Sequence, residues 1–216
     1  RTDLAGGDTT ASVNGLAIGV TAAGDVAKDR IAYRSGAKPN DLICLSGDLG
    51  AAYMGLHLLE REKRACGGQP DPKPKFEGHE YILGRQLKPE ARTDIIERLA
   101  EAGIVPTSMI DITDGLASET LHLCKSSGCG ARIYLDRLPI ARQTHDMAEE
   151  LHADPVVAAL NGGQDYELLF TVPLSKQQEI FALGVDVIGH VTAAGTGAML
   201  VTPDGSEIAL KAPGWK

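Results

Sequence analysis

Basic residues, aromatic residues and cysteines are all scarce in this sequence, and each scarcity argues against particular classes of protein. Lys and Arg number 21 against 29 Asp and Glu, which gives a formal net charge of −8. Because an acidic surface repels phosphate backbones, we expect no nucleic-acid partner. Aromatic residues make up 4% of the chain whereas glycine occurs 25 times, and this balance favours an α/β protein with many tight turns over a β-sandwich.

Cysteine spacing and hydropathy argue against two further classes. None of the four cysteines forms a C-x-x-C pair, so a zinc site and a disulfide remain only weak alternatives. Cys44 and Cys124 lie in apolar patterns typical of buried thiols. The sequence has no apolar run long enough to span a bilayer and no signal-peptide pattern. We therefore expect no membrane partner and a reducing cytoplasm as the compartment.

The common nucleotide and hydrolase motifs are also missing. The chain has no G-x-x-x-x-G-K-[ST] loop, which excludes a P-loop kinase, and no G-x-G-x-x-G after a strand. The patterns H-E-x-x-H and G-x-S-x-G are absent as well. The six histidines lack metal-ligand spacing, and we interpret them as surface or packing residues.

Hydrophobic periodicity predicts strands and helices that alternate in a mixed α/β fold. The predicted strands lie in "SVNGLAIGVT" (12–21), "DLICLSG", "SMIDI", "ARIYLD", the end of "NGGQDYELLFTV", "VDVIGHVT", "GAMLVT" and "EIALK". The predicted helices lie in "LGAAYMGLHLLEREKR", "KPEARTDIIERLAEAG", "GLASETLHLCKSSG", around 142–152 and in "SKQQEIFALG". "ACGGQPDPKPKFEG" is predicted to be a surface loop. The abrupt start, without an initiator Met, leads us to expect that the chain begins inside a larger protein.

Three stretches combine glycine with aspartate where an element boundary is expected. They are "AGGDTT" (5–10), "DITDG" (111–115) and "GGQDYE" (162–167). Each one taken singly is explained by a turn, because Gly and Asp are common turn residues.

"DITDG" is harder to explain as a turn alone. Asp114 precedes a predicted helix and could cap it, but Asp111 falls inside a predicted buried strand, where an unpaired acid costs several kcal/mol. Carboxylates at a strand end beside a helix N-terminus can instead hold Mg²⁺ against a phosphate. The spacing does not fit an EF-hand loop. The residues therefore indicate a metal–phosphate site.

Two isolated residues leave alternatives open. Arg34, in "YRSGAK", is either a solvated arginine or a phosphate contact across a cleft, and its context alone favours the first. Trp215, the only tryptophan, is either a packing residue at a chain end or a stacking platform for a flat ligand.

Taken together, five stretches in order resemble the thiamine-monophosphate kinase family of the aminoimidazole-ribonucleotide-synthetase-like superfamily. They are "GGDTT", "RSGAKPND", "IDITDGLASE", "CGARIYLDRLPI" and "GGQDYELLFTV", and the resemblance covers essentially the whole chain. It implies ATP-dependent phosphorylation of thiamine monophosphate to thiamine diphosphate by direct, Mg²⁺-assisted transfer of the γ-phosphoryl group. No catalytic side chain is implied, because such transfer depends on positioning and charge neutralisation.

The resemblance also implies roles for individual residues, and it reverses the solvated interpretation of Arg34. The implied ATP contacts are Gly7, Asp8, Arg34 and Thr113. The implied Mg²⁺ ligands are Asp8, Asp111 and Asp114. The implied contacts with thiamine monophosphate are Gln164 and Trp215. In this chain Thr113 replaces the family's more usual Ser and keeps the hydroxyl, whereas Gln164 replaces the more usual Glu and removes a charge.

At the level of domains, the resemblance implies that residues 1–36 are the tail end of an N-terminal ATP-binding domain. Residues 37–216 would form the C-terminal α/β domain of the aminoimidazole-ribonucleotide-synthetase-like fold. The family pairs its N-terminal domains, so we expect a homodimer. Two rival functions remain: another ATP-using member of the superfamily, of the aminoimidazole ribonucleotide synthetase or selenophosphate synthetase type, and a non-catalytic nucleotide- or metal-binding module.

Overall fold

The chain divides into two units, Arg1–Ile31 and Ala32–Lys216. The computed structural model describes residues 3–11, 13, 15–68 and 73–212. In the first unit the described residues form no helix or strand, so the strand predicted over 12–21 is wrong for residues 13 and 15–21, and residues 12 and 14 lie outside the described part. Val13, Ile18 and Val20, its apolar positions, are 79–100% exposed. A strand needs a neighbouring backbone to complete its hydrogen bonds, and no described segment of this unit pairs with it.

The second unit is built on a mixed β-sheet. Within the described residues the seven strands are β1 (Leu42–Leu45), β2 (Ser108–Asp111), β3 (Gly130–Tyr134), β4 (Leu168–Val172), β5 (Asp186–Thr192), β6 (Ala198–Val201) and β7 (Glu207–Ala209). Their order across the sheet is β2-β4-β1-β5-β3-β6-β7. The pair β3–β6 is parallel and the other neighbours are antiparallel. The predicted mixed α/β class is confirmed.

Helices pack around this sheet. Those of the described residues are α1 (Ala51–Cys66), α2 (Glu80–Leu87), α3 (Thr93–Glu101), α4 (Leu116–Ser127), α5 (Arg142–Glu150), α6 (Pro155–Asn161) and α7 (Gln177–Ala182). The predicted helix over 88–103 starts later than expected, because residues 88–92 remain non-helical. Sequence patterns missed α2 and α6. None of the helices in the described ranges combines the length and the apolar character that a bilayer crossing requires.

The core lies on both faces of the sheet. Ile43 and Leu45 of β1 point into a cluster with residues of α4 and α6, whereas Leu42 and Cys44 point into one with residues of α3 and α7. Since successive side chains of a strand alternate between faces, all four residues of β1 are buried. At one end of the sheet, β1 and β2 finish beside the start of β4. This end carries the motifs discussed next.

Candidate functional site

The Asp111–Asp114 segment connects β2 to α4. Asp111 is the last residue of β2, and α4 begins at Leu116. Both aspartates are exposed and Thr113 is half-buried. Neither carboxylate makes a hydrogen bond or an ion pair with another described residue. The segment therefore presents two uncompensated negative charges at one end of the sheet.

Two expectations about these aspartates require correction. Asp111 lies at the end of its strand as predicted, but it is exposed, so no burial cost requires a partner for it. Asp114 does not cap α4, because Gly115 occupies the cap position and no side chain bonds to the first turn. Because the Asp114 side chain does not cap α4, no contact with a described residue gives its carboxylate a structural role.

The "GGQDYE" segment packs against this loop through the main chain. The N–H of Gln164 donates to the carbonyl of Thr113 at 2.8 Å, and the N–H of Tyr166 donates to that of Ile112 at 2.9 Å. Gly163 has φ +70°, and a Cβ there would lie 2.3 Å from the Thr113 carbonyl oxygen. Only glycine permits this approach, so two motifs 51 residues apart in sequence form one surface.

The side chain of Gln164 continues the same contact. Its Nε2 lies 3.5 Å from the Thr113 carbonyl, and its Oε1 accepts from the Tyr166 hydroxyl at 3.1 Å. Gln164 has φ 64° and Tyr166 has φ 53°, a left-handed conformation that is uncommon for residues with a Cβ. The structure thus places the predicted substrate residue Gln164 directly beside the predicted ATP residue Thr113.

Asp165 has a structural role in the same segment. Its Oδ2 accepts from the Gly50 N–H at 2.9 Å and its Oδ1 from the Ala52 N–H at 3.2 Å. It therefore caps α1, which has no side-chain cap of its own. Burial raises the pKa of Asp165 to about 6, against the opposing effect of the two N–H donors.

Sequence reasoning missed a buried ionic cluster at the same end of the sheet. Glu167 is 2% exposed and forms ion pairs with Arg92 and with Arg85, the latter at 2.9 Å. Arg92 also donates to the Ser46 carbonyl at 2.7 Å. The cluster joins the end of β1 to the start of β4. The one local signal was Glu167 itself, because an acid at the start of an apolar strand requires cationic partners.

Arg34 lies in a segment that runs beside β2. The carbonyl of Tyr33 accepts from the Met109 N–H at 2.8 Å, and a Cβ on Gly36 would lie 2.4 Å from the Thr107 carbonyl oxygen. Arg34 is exposed. Arg34 therefore lies along β2, the strand that ends at Asp111, although Arg34 and Asp111 are far apart in the sequence.

The remaining predicted site residues belong to the first unit or lie outside the described residues. Gly7 and Asp8 belong to the first unit, where both are exposed and Asp8 Oδ1 accepts from the Thr9 N–H at 2.8 Å. Trp215 lies outside the described residues. Among the residues with described positions, no group of three or more His, Cys, Asp or Glu side chains is arranged to hold a metal ion.

Fold and site together define a mixed α/β domain with exposed carboxylates at the end of an edge strand. The family model for AIR synthase related proteins, C-terminal domain, matches residues 38–202, and the chain belongs to this family. This confirms the superfamily inferred from the five stretches.

Curated relatives show more specifically which proteins this chain resembles. Over 99% of its length this chain is 36% identical to thiamine-monophosphate kinase of Escherichia coli strain K12 and 31% identical to that of Bacillus subtilis strain 168. It spans 62% and 63% of those two proteins. The predicted resemblance to thiamine-monophosphate kinases is confirmed.

Solved structures agree with this similarity. AaThiL complexed with AMPPCP and TMP is 32% identical, with a TM-score of 0.68 over 87% of this chain and 54% of that one. Thiamine-monophosphate kinase from Stenotrophomonas maltophilia K279a is 26% identical, with a TM-score of 0.68 over 85% and 56%. Escherichia coli HypE, at 19% identity and a TM-score of 0.61, shares the fold.

Proposed function

We propose that this protein transfers the γ-phosphoryl group of ATP to the phosphate of thiamine monophosphate and so produces thiamine diphosphate. One observation carries the proposal: main-chain bonds join the loop with the predicted nucleotide and metal residues to the loop with Gln164. Donor and acceptor phosphates must meet for direct transfer. A relative complexed with both AMPPCP and TMP supports the same pairing of ligands.

Mg²⁺ is the cofactor that these residues fit. Mg²⁺ prefers oxygen ligands and retains several waters, so one or two carboxylates can bind an ion. Asp111 and Asp114 are exposed and unpaired among the described contacts, which suits them to this role, and Asp8 is proposed as a further ligand. When bound, the ions would screen the charge of the meeting phosphates. An acidic protein needs such screening, because its net charge of −8 repels both substrates.

The chain's own groups then position the nucleotide. We assign the Thr113 hydroxyl, the Arg34 guanidinium and the segment with Gly7 and Asp8 to contacts with ATP. Arg34 carries a fixed positive charge suited to phosphate oxygens. Its place along β2, the strand that ends at Asp111, supports the assignment.

On the acceptor side we assign Gln164 and Trp215 to thiamine monophosphate. The Gln164 amide contacts Thr113 and Tyr166, so it can fix the distance between the acceptor and the nucleotide loop. An indole can stack on the pyrimidine ring and attract the cationic thiazolium, a cation–π contact of about 0.5–2 kcal/mol. The role of Trp215 stays a prediction.

We further propose a cytoplasmic homodimer formed through the N-terminal domain, with residues 1–36 in that domain and residues 37–216 in the C-terminal one. The four cysteines are unpaired, which supports a reducing compartment. The start of the family match at residue 38 supports the domain boundary.

A coupled assay with MgATP and thiamine monophosphate tests the function. Asp111→Asn and Asp114→Asn should each lower kcat/KM about 100-fold or more, because a bound metal contributes several kcal/mol of charge stabilisation. The matched control is Asp146→Asn, an exposed aspartate on α5 that lies 3.6 Å from Arg142, which should leave the rate unchanged.

Several outcomes would contradict the proposal. Near-normal activity of both variants at low Mg²⁺ would refute the metal assignment. If free thiamine were phosphorylated faster than thiamine monophosphate, the assignment of thiamine monophosphate as the substrate would be wrong. In a thermal-shift panel, stabilisation by formylglycinamidine ribonucleotide or selenide rather than thiamine monophosphate would identify another superfamily activity. ATP binding without turnover would identify a non-catalytic module.

A further inference from the structure

Glu119 is a buried acid next to the two exposed aspartates. It is 2% exposed and lies in the first turn of α4. Its Oε1 accepts from the Asp114 N–H at 3.2 Å and lies 3.5 Å from the Thr113 hydroxyl oxygen. The side chain therefore contacts the Asp111–Asp114 segment from inside the fold.

The second carboxylate oxygen of Glu119 is not explained by these contacts. Oε2 is buried and has no hydrogen-bond partner among the described residues. Leaving a buried polar atom without a partner costs about 1–3 kcal/mol, and more for a charged group. Burial raises the pKa of Glu119, and the negative charges of Asp114 and Asp111 raise it further. The hydrogen bonds of the Glu119 carboxylate with described residues thus include no cationic side chain.

The helix explains only part of the arrangement. A carboxylate in the first turn is stabilised by the helix dipole, an effect of about 0.3–1 kcal/mol at exposed positions. This effect does not give Oε2 a donor. A hydrated cation at Asp111 and Asp114 would supply both a positive charge and water O–H donors.

We propose that Glu119 is a positioning residue for the cation assigned to Asp111 and Asp114. Oε1 fixes the Asp114 main chain and the Thr113 hydroxyl; since Oε2 is closed to water in the described arrangement, a small shift of the exposed Asp111–Asp114 segment lets Oε2 accept a hydrogen bond from a water on the ion. Glu119 does not bind the ion directly, in agreement with the absence of a three-acid metal cluster from the described residues. This inference rests on the proposed function, because that function places the cation.

Outer groups of this kind orient the ligands of a metal, and their loss typically lowers metal affinity 10- to 100-fold. Mg²⁺ retains several of its waters, so groups that hold those waters have a large share in its affinity. Glu119 would therefore affect ion binding without ever touching the ion.

The test measures Mn²⁺ binding to the whole chain without nucleotide, by the electron paramagnetic resonance signal of the free ion. Glu119→Gln keeps the size and one acceptor oxygen but removes the charge, and we expect about 10- to 100-fold weaker Mn²⁺ binding. The matched control is Glu62→Gln. Glu62 is also buried, at 6% exposure, and accepts from the Lys75 N–H at 2.8 Å, and its variant should bind Mn²⁺ as the wild type does.

The outcomes separate this proposal from the cation assignment. If the double variant Asp111→Asn, Asp114→Asn binds Mn²⁺ as well as the wild type, or if the wild type binds none, the cation assignment fails and the role of Glu119 fails with it. If the double variant binds weakly but Glu119→Gln binds normally, only the role of Glu119 is overturned. A structural role alone would lower the free energy of unfolding without changing Mn²⁺ affinity.

A folding defect would not leave the proposal without a test. Should Glu119→Gln fail to fold, Glu119→Asp keeps the charge but shortens the side chain by one methylene group. We expect it to bind Mn²⁺ about tenfold more weakly, at the lower end of the range for such outer groups. Unchanged affinity in that variant would count against the proposal.

Discussion

Replacement of Asp165 by alanine should destabilise the fold much more than loss of an ordinary helix cap. The Asp165 carboxylate accepts from the main-chain N–H groups of Gly50 and Ala52 at 2.9 and 3.2 Å. It reaches them from a loop 115 residues away from Gly50 in sequence. Asp165 is 2% exposed and Ala52 is fully buried, so water cannot readily replace the carboxylate.

The expected loss follows from two contributions. Removal of an N-cap side chain costs about 1 kcal/mol in typical proteins. A buried donor left without an acceptor costs about 1–3 kcal/mol. Allowing for overlap between the two effects, we expect Asp165→Ala to lower the free energy of unfolding by about 2–4 kcal/mol.

A matched control separates burial from capping. Asp154 caps the seven-residue α6, where its Oδ1 accepts from the Val156 N–H at 2.8 Å. Asp154 is exposed, so water can satisfy the released donor, and Asp154→Ala should cost only about 0.5–1 kcal/mol. Asp165→Asn should recover part of the loss, because its amide oxygen can still accept one bond.

Urea unfolding followed by far-ultraviolet circular dichroism gives these free energies, provided that the slopes of the transitions agree among the variants. A loss in Asp165→Ala no larger than that in Asp154→Ala would refute the reasoning. It would mean that the first turn of α1 finds other acceptors when the carboxylate is removed.

Two further predictions concern the same loop. Because the folded-state pKa of Asp165 is about 6, above the ordinary value of about 3.9, the protonated carboxyl stabilises the fold more than the ionised one, and the free energy of unfolding should fall as the pH rises from ~4 to ~6; the difference in unfolding free energy between wild type and Asp165→Asn should change over that interval, and a constant difference would contradict the shift. Gln164→Glu removes the donor that faces the Thr113 carbonyl at 3.5 Å and should lower the free energy of unfolding by about 0.5–1.5 kcal/mol. Its added charge should also lower the KM for thiamine monophosphate, because it attracts the cationic thiazolium ring; Gln164→Met is the neutral control, and a raised KM in the Glu variant would count against the substrate assignment.

The sheet and most helices could be predicted from the sequence because their signals are local. Alternating or continuous apolar residues bounded by glycine identify the strands, and Gly128 ends α4 in the left-handed conformation expected of a helix terminus. Helix α6 also carried a signal that was overlooked, since Asp154 followed by Pro155 is a cap followed by a favoured first residue.

Other features depend on contacts that no local pattern contains. Helix α2 has eight residues, of which only Ile82 is buried, and it packs where α1 has Gly55: a Cβ there would lie 2.5 Å from the Ile82 carbonyl oxygen. The partners of Glu167 are likewise distant in sequence, with Arg92 75 residues away. Contacts between residues so far apart in the chain produce no periodic pattern in the sequence.

The candidate site likewise has features that the local sequence predicts and features that depend on distant contacts. The position of Asp111 at a strand end was predictable from local pattern, but its exposure was not, because the sequence does not show that β2 lies at the sheet's edge. The contact between Thr113 and Gln164 required the pairing of β2 with β4, which brings together loops separated by 51 residues.

The main-chain bonds between these two loops have a consequence for engineering. Because Thr113 and Ile112 contact the partner loop through carbonyl oxygens, side-chain substitutions that keep Gly163 leave the bonds themselves intact. A change of backbone shape in one loop, in contrast, would displace the other. A chimaera with a relative should therefore exchange the segments around 111–115 and 162–167 as one unit, since either segment grafted singly would meet a partner of the wrong shape.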